Sequence, residues 1–308
     1  MRILSLDGGG ICGLMPARIL TALEAKLGSP LCHHFDLVAG TSTGGIIAAA
    51  IGAGLPMATI RDLYRDDAGK IFHTGLGSVL ALDGMAGNKY SPKGLEICLY
   101  EVFGDLRLAE CQTDVLITSC DLAAKPQFFM SSMAKRAMGA DFYLRDVCRA
   151  TSAAPTYFPP AMIISMGGGP GYILQDGGLV ANQPAMSALA EAQRLASLDQ
   201  VDLLLSLGTG YTPVSRKPTG AQGALAEGAT LLNLIFTGPG HAVDWEAQAL
   251  LGDRYVRVQP ELDDIPMDTT KDSDLAKLEA AADAFTATRT FEHIAAMLGQ
   301  TPGQSQAA

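Results

Sequence analysis

Three glycine-rich stretches hold the residues of this chain that can do chemistry. The stretch Phe35–Ala50, FDLVAGTSTGGIIAAA, reads as an apolar strand, a glycine-framed turn with Ser42 at its apex and a helix of small residues. Gly40 and Gly44 stand around Ser42 in the G-x-S-x-G spacing. A serine on such a turn is held in a strained backbone geometry, its hydroxyl clear of the sheet at the positive end of the next helix. A side chain at either flanking position would crowd the place where strand, helix and substrate approach one another, and Gly45 adds further room. The same spacing also fits an ordinary turn capped by Ser or Thr, so the other two stretches carry weight.

Asp7–Gly13, DGGGICG, follows a short apolar strand at Arg2–Leu6 and opens a helix at Leu14–Leu27. Its Gly8-x-Gly10-x-x-Gly13 spacing fits a dinucleotide fingerprint, which would make the chain a nucleotide-binding α/β protein. That fingerprint also calls for an acidic residue at the end of the second strand, whereas Asp36 is near its start and Gly40-Thr41-Ser42 occupies its end. Successive glycine amides have another use: they can converge at a helix N-terminus and stabilise a developing oxyanion. The third stretch, Asp176-Gly177-Gly178, follows a strand at Tyr172–Gln175. A carboxylate in contact with the serine hydroxyl can take its proton when partial desolvation raises its basicity. An Asp-Gly β-turn is the plainer reading of the same residues. Among the histidines, His33 and His34 precede the strand that leads to Ser42 and so belong at its far end. His73, His241 and His293 lack a glycine-framed position at a strand end.

Two β-turn-α units in succession imply parallel strands joined by right-handed crossovers, hence an α/β layered fold with its site at the strands' C-terminal edge. Helices are expected at Met57–Gly69, Ser91–Phe103, Leu144–Ala153 and Pro184–Ala196, and one long amphipathic helix at Asp274–Leu298. Strands are expected at Asp114–Asp121 and Gln127–Ser131 as an antiparallel pair, at Val201–Leu207 and at Arg254–Val258, with an irregular stretch opening at Pro159-Pro160. Thr74–Lys89 reads as a surface loop or flap, and Ala221–Phe236 as a helix that packs in the core or caps the site.

At 308 residues and 48% hydrophobic content the chain can bury a sizeable core. It divides into a core over 1–210, a continuation of the same domain over 211–300 and a frayed tail at 301–308. With 22 Lys plus Arg against 32 Asp plus Glu, a formal charge of −10 excludes a general nucleic-acid binder, which needs a basic face. The six cysteines, Cys12, Cys32, Cys98, Cys111, Cys120 and Cys148, show neither C-x-x-C nor short spacing to histidine, so reduced, buried thiols are expected rather than a zinc site. The N-terminus runs straight into a strand without the features of a signal peptide, and the expected location is the cytoplasm. No run of 18 uncharged apolar residues is present to span a bilayer. Peripheral contact with a membrane surface stays open.

Taken together, these residues resemble the patatin-like phospholipases, lipid acyl hydrolases that use a Ser–Asp dyad and no catalytic histidine. Asp7–Gly13 is similar to the family's oxyanion loop, Gly40–Gly45 to its nucleophile elbow, and Asp176-Gly177-Gly178, followed by Asn182 and Pro184, to its dyad motif. Arg149–Pro159, RATSAAPTYFP, is similar to the block between serine and aspartate. The resemblance runs from Met1 to about Gly210 and is loose beyond. It implies a three-layer α/β/α fold with a mostly parallel central sheet. It further implies Ser42 as nucleophile, Asp176 as general base, amides of Gly8, Gly9 and Gly10 as the oxyanion hole, an acyl-Ser42 intermediate, an acyl-ester or lipid substrate, and no metal or organic cofactor. Cys12 departs from the pattern, because the loop usually carries Arg or Lys there and a neutral thiol meets no head-group phosphate. A lipid-binding effector that needs a partner or a cyclic nucleotide is the alternative within the same family.

Overall fold

The computed structural model describes residues 1–74, 88–124, 127–132, 141–212, 234–236 and 238–300. The expected flap at Thr74–Lys89 lies almost wholly outside the described residues, as do the tail at 301–308 and the helix expected at Ala221–Phe236 apart from its last three residues.

Strands β1 (Arg2–Leu6), β2 (Leu37–Gly40) and β7 (Leu203–Leu207) lie side by side and parallel, with β1 in the middle. They are covered on both faces, which is why each reads as a mostly apolar run, broken only by Arg2, Ser5 and Ser206, rather than as an alternation. Parallel strands β3 (Asp114–Asp121) and β8 (Tyr255–Val258) extend this sheet beyond β2 and β7. Alternate side chains feed two cores, one on each face. Leu4, Leu6, Val38 and Leu205 pack with helices α1 (Leu14–Leu27), α2 (Thr43–Gly52) and α3 (Met57–Asp66). Ile3, Leu37 and Leu204 pack with Ala185, Ala188 and Leu189 of the helix Ala185–Leu195. The layered α/β reading of the sequence therefore holds.

Strand β3 brings the distant motifs together. Over Leu116–Cys120 one of its edges pairs antiparallel with β4 (Gln127–Ser131). Its other edge is shared, β2 taking Asp114–Ile117 and the antiparallel β6 (Gly171–Asp176) taking Ser119–Asp121. The C-terminal ends of β2 and β6 thus face each other across Thr118, with Gly40 opposite Ile117 and Asp176 opposite Ser119.

Several expectations need correction. The stretch after Pro159-Pro160 is not irregular: β5 (Ala161–Ile164) pairs with β6 at the sheet edge, where a preceding proline costs no ladder bond. A helix at Gly240–Leu251 has no counterpart among the expected elements. The helix expected at Met57–Gly69 stops at Asp66, before a separate short turn of helix at Ala68–Ile71. The long helix expected at Asp274–Leu298 is two, Asp272–Thr286 and Arg289–Gly299. The second starts because Thr288 caps it, its hydroxyl accepting from the Phe291 N–H at 3.2 Å.

Candidate active site

Ser42 sits between β2 and α2 with φ +54° and ψ −122°, a backbone conformation that L side chains rarely adopt. The turn closes around it at very short range. A Cβ on Gly40 would stand 2.2 Å from the Gly44 carbonyl oxygen, and one on Gly44 2.3 Å from the Leu6 carbonyl oxygen, so both positions demand glycine. Asp176 arrives from the opposite side of the seam. The Ser42 hydroxyl donates to Asp176 Oδ2 at 2.7 Å, and the Gly178 N–H donates to Oδ1 at 2.7 Å. At the seam itself the hydroxyls of Thr41 and Thr118 are 2.7 Å apart. A Cβ on Gly177 would meet the Thr118 hydroxyl at 2.0 Å, which keeps that position a glycine.

Burial sets the electrostatics of the pair. Asp176 is 2% exposed, and desolvation pushes its carboxyl up from 3.8 to about 7, against the lowering effect of the Gly178 amide and the Ser42 hydroxyl. A carboxylate so placed can accept a proton near neutral pH.

The loop Asp7–Gly13 faces the same opening. The Gly8 N–H is spent on the Asn182 carbonyl at 3.1 Å, while its own carbonyl accepts from the Thr209 hydroxyl at 3.0 Å. Of the three amides considered from the sequence, those of Gly9 and Gly10 have no partner among the described residues. Gly10 has φ +59°, and a Cβ on Gly9 would meet the Thr209 hydroxyl at 2.2 Å. Gly13 lets the start of α1 approach α2, since a Cβ there would be 2.0 Å from the Thr43 hydroxyl. Cys12 is buried beside the opening, and burial raises its thiol to about 12, so it stays neutral. Arg257 of β8 anchors the loop: it donates to Asp7 Oδ2 at 2.6 Å and to the Ser206 hydroxyl at 2.8 Å. Arg257, Asn182 and Thr209 support the loop; Asn182 belongs to the run that follows Asp176, but nothing in the local sequence of Arg257 or Thr209 marks them for it.

Ser42, Asp176, Gly8, Gly9, Gly10 and Cys12 line one cleft of about 1210 Å³. Ile46, Ile71, Phe72, Leu95 and Phe158 form an apolar part, and Asn182, Gln183, Asp244 and Arg257 a polar one, with Ser42 among them. His241 lines the cleft, but the group bonded to the Ser42 hydroxyl is Asp176. His34 is remote, its ring hydrogen-bonded to Ser29 and to the Leu298 carbonyl, and His73 and His293 are exposed. Asp36 likewise lies at the far end of β2, where its carboxylate accepts from the Arg2 N–H at 2.6 Å. Asp67, Cys98 and Glu101 bring potential metal-ligating atoms within 4.8 Å of one another, but Lys70 already pairs with Asp67 at 2.7 Å. No described helix is long and apolar enough to cross a membrane.

The fold and cleft define an α/β protein with a buried serine–carboxylate pair beside a loop of open amides. The chain belongs to the patatin-like phospholipase family, whose model matches residues 4–189. It is 35% identical over 240 residues to Patatin-T5 of Solanum tuberosum, covering 68% of this chain and 60% of that protein. It is 36% identical over 248 residues to Patatin-like protein 2 of Arabidopsis thaliana, covering 70% and 61%. A further potato relative at 36% identity, covering 68% of this chain and 62% of its own length, bears the name Probable inactive patatin-3-Kuras 1. The chain thus spans about three-fifths of the length of these relatives. Among solved structures, VipD from Legionella pneumophila aligns over 92% of this chain and 67% of its own at 12% identity, with a TM-score of 0.45.

Proposed function

We propose that the protein is a lipid acyl hydrolase that cleaves carboxylic esters through Ser42 and Asp176. The observation that carries this reading is the 2.7 Å hydrogen bond from the Ser42 hydroxyl to a carboxylate whose proton affinity burial has raised to about 7. Ser42 Oγ attacks the ester carbonyl as its proton passes to Asp176, and the free amides of Gly9 and Gly10 receive the oxyanion. The alcohol departs with that proton, leaving acyl-Ser42. Asp176 then deprotonates a water that releases the fatty acid and restores the serine. The apolar part of the cleft suits an acyl chain and the polar part the alcohol side of a glycerolipid. Membership of the family supports the lipid class of substrate.

The test is hydrolysis of lysophospholipid micelles and of a short-chain nitrophenyl ester by the purified chain, compared with Ser42→Ala. Turnover in the wild type and a loss of about a thousandfold or more in the variant, with the same melting temperature, is expected. An unchanged rate in Ser42→Ala contradicts the proposal.

A further inference from the structure

Ser42 follows β2 and Asp176 ends β6, two strands that share no ladder bond. β2 pairs with β1 and β3, and β6 with β3 and β5, so the sheet alone leaves the gap between their facing ends loosely defined. A third segment bridges it. Thr151, the last residue of the helix Leu144–Thr151, is fully buried, and its Oγ1 accepts the Ser42 N–H at 2.8 Å. Its carbonyl oxygen accepts the Gly177 N–H at 3.3 Å, and two residues on, the Ala153 carbonyl accepts the Asp176 N–H at 3.1 Å. One turn of chain therefore grips the residue that carries the hydroxyl and the two that carry and follow the carboxylate.

Two further observations indicate that the site is built around this side chain. A Cβ on Gly45 would stand 2.8 Å from Thr151 Cγ2, so the third glycine of the elbow makes room for the threonine methyl. Thr151 is also absent from the cleft lining, where its neighbours Ser152 and Ala154 are present, so it acts on the pair from behind. Its bond also occupies the Ser42 amide, which is therefore closed to an oxyanion, while the Gly9 and Gly10 amides have no partner among the described residues.

We infer that Thr151 is a positioning residue, which sets the contact between Ser42 and Asp176 by holding the strained serine through its amide and the aspartate segment through its carbonyl. The inference rests on the Ser42–Asp176 reading above. Valine at 151 keeps the shape and deletes the acceptor, alanine deletes both acceptor and methyl, and serine keeps the acceptor. Misplacement of a reacting group by about 1 Å costs on the order of a hundredfold in rate.

The experiment compares wild type, Thr151→Val, Thr151→Ala and Thr151→Ser as full chains. It measures kcat and KM on a nitrophenyl ester, the rate of fluorophosphonate labelling, melting temperature, and the Asp176 ionisation by carbon NMR of labelled carboxyls. The groups that act on the Asp176 carboxylate are the Gly178 amide and the Ser42 hydroxyl, both of which lower its proton affinity. Loosening the Ser42 contact therefore moves its ionisation to higher pH. For the valine and alanine variants we expect kcat and labelling rate to fall about 10- to 100-fold, KM to change less than about threefold, and the Asp176 midpoint to rise. Serine should restore all three. A valine or alanine variant that keeps wild-type kcat, or that melts earlier with the Asp176 midpoint unmoved and no rescue by serine, overturns the inference. If the valine chain does not fold, the alanine variant supplies the comparison. If the wild type neither turns over nor labels, the hydrolase reading fails by itself, and the Asp176 midpoint still decides whether Thr151 sets the contact.

Discussion

The two β-turn-α units at the start of the chain, Arg2–Leu27 and Leu37–Gly52, share one layout and differ in which groups their turns leave free. In the first, the Gly8 amide is spent on Asn182 and those of Gly9 and Gly10 have no partner among the described residues, so the turn offers backbone donors. In the second, the amide of Ser42 is spent on Thr151 and its hydroxyl is presented to Asp176. On the proposed function, the same supersecondary unit serves as an anion cradle or a nucleophile mount according to which hydrogen bonds its neighbours take up. Distant residues make that choice: Asn182 and Thr209 for the first turn, Thr151 for the second.

The largest effect that tests this contrast is expected at the partner of the second turn. Asp176→Asn should reduce kcat by about a thousandfold, because an amide cannot take the serine proton. The same substitution has a stability consequence of definite sign. In the wild type the folded carboxyl ionises near pH 7 and the unfolded one near 3.8, so the folded state holds the extra proton between those values. Its stability therefore falls as pH rises through that window. A neutral carboxamide carries no such penalty, so the Asp176→Asn variant should melt higher than wild type at pH 8, and the gap should narrow as the pH falls through 7 and close only near 3.8. Activity of the wild type should rise with a midpoint near pH 7. Equal melting temperatures at pH 8 would mean that the carboxylate is better solvated than its burial suggests.

A smaller effect is expected in the first turn. Gly9→Ala places a Cβ 2.2 Å from the buried Thr209 hydroxyl and must displace the loop, so kcat should fall about 100-fold with KM less affected, as for loss of an oxyanion donor. A drop confined to KM would show that the loop binds substrate without receiving charge. The smallest effect belongs to His241, which lines the cleft but is not bonded to Ser42. His241→Ala should keep activity within about threefold, whereas a collapse with intact folding would replace the dyad by a histidine-based triad.

Legibility in the sequence followed the range of the forces involved. The strand-turn-helix units around Gly10 and Ser42 are local, so apolar runs and glycine spacing were enough to locate them. Asp176 was legible as a carboxylate at a strand end, but its approach to Ser42 depends on two strands sharing one edge of β3, which no local pattern encodes. Thr151 falls within the Arg149–Pro159 block, but its contact with Ser42 was invisible for the same reason, since the two lie 109 positions apart. The four-residue strand Ala161–Ile164 was hidden behind two prolines that an edge tolerates. The break at Ala287–Thr288 carries neither Gly nor Pro, only a Thr cap with Glu292 in the first turn behind it. The helix Gly240–Leu251 buries only Ala247 and Leu251, too few to leave a readable stripe.

The central claim is that Ser42 is an activated nucleophile, and intact-mass measurement after exposure to a fluorophosphonate tests it most directly. The account predicts one adduct on the wild-type chain, none on Ser42→Ala, and a labelling rate that rises with pH through about 7 as Asp176 ionises. An unlabelled wild-type chain, or an adduct that persists in Ser42→Ala, would contradict it.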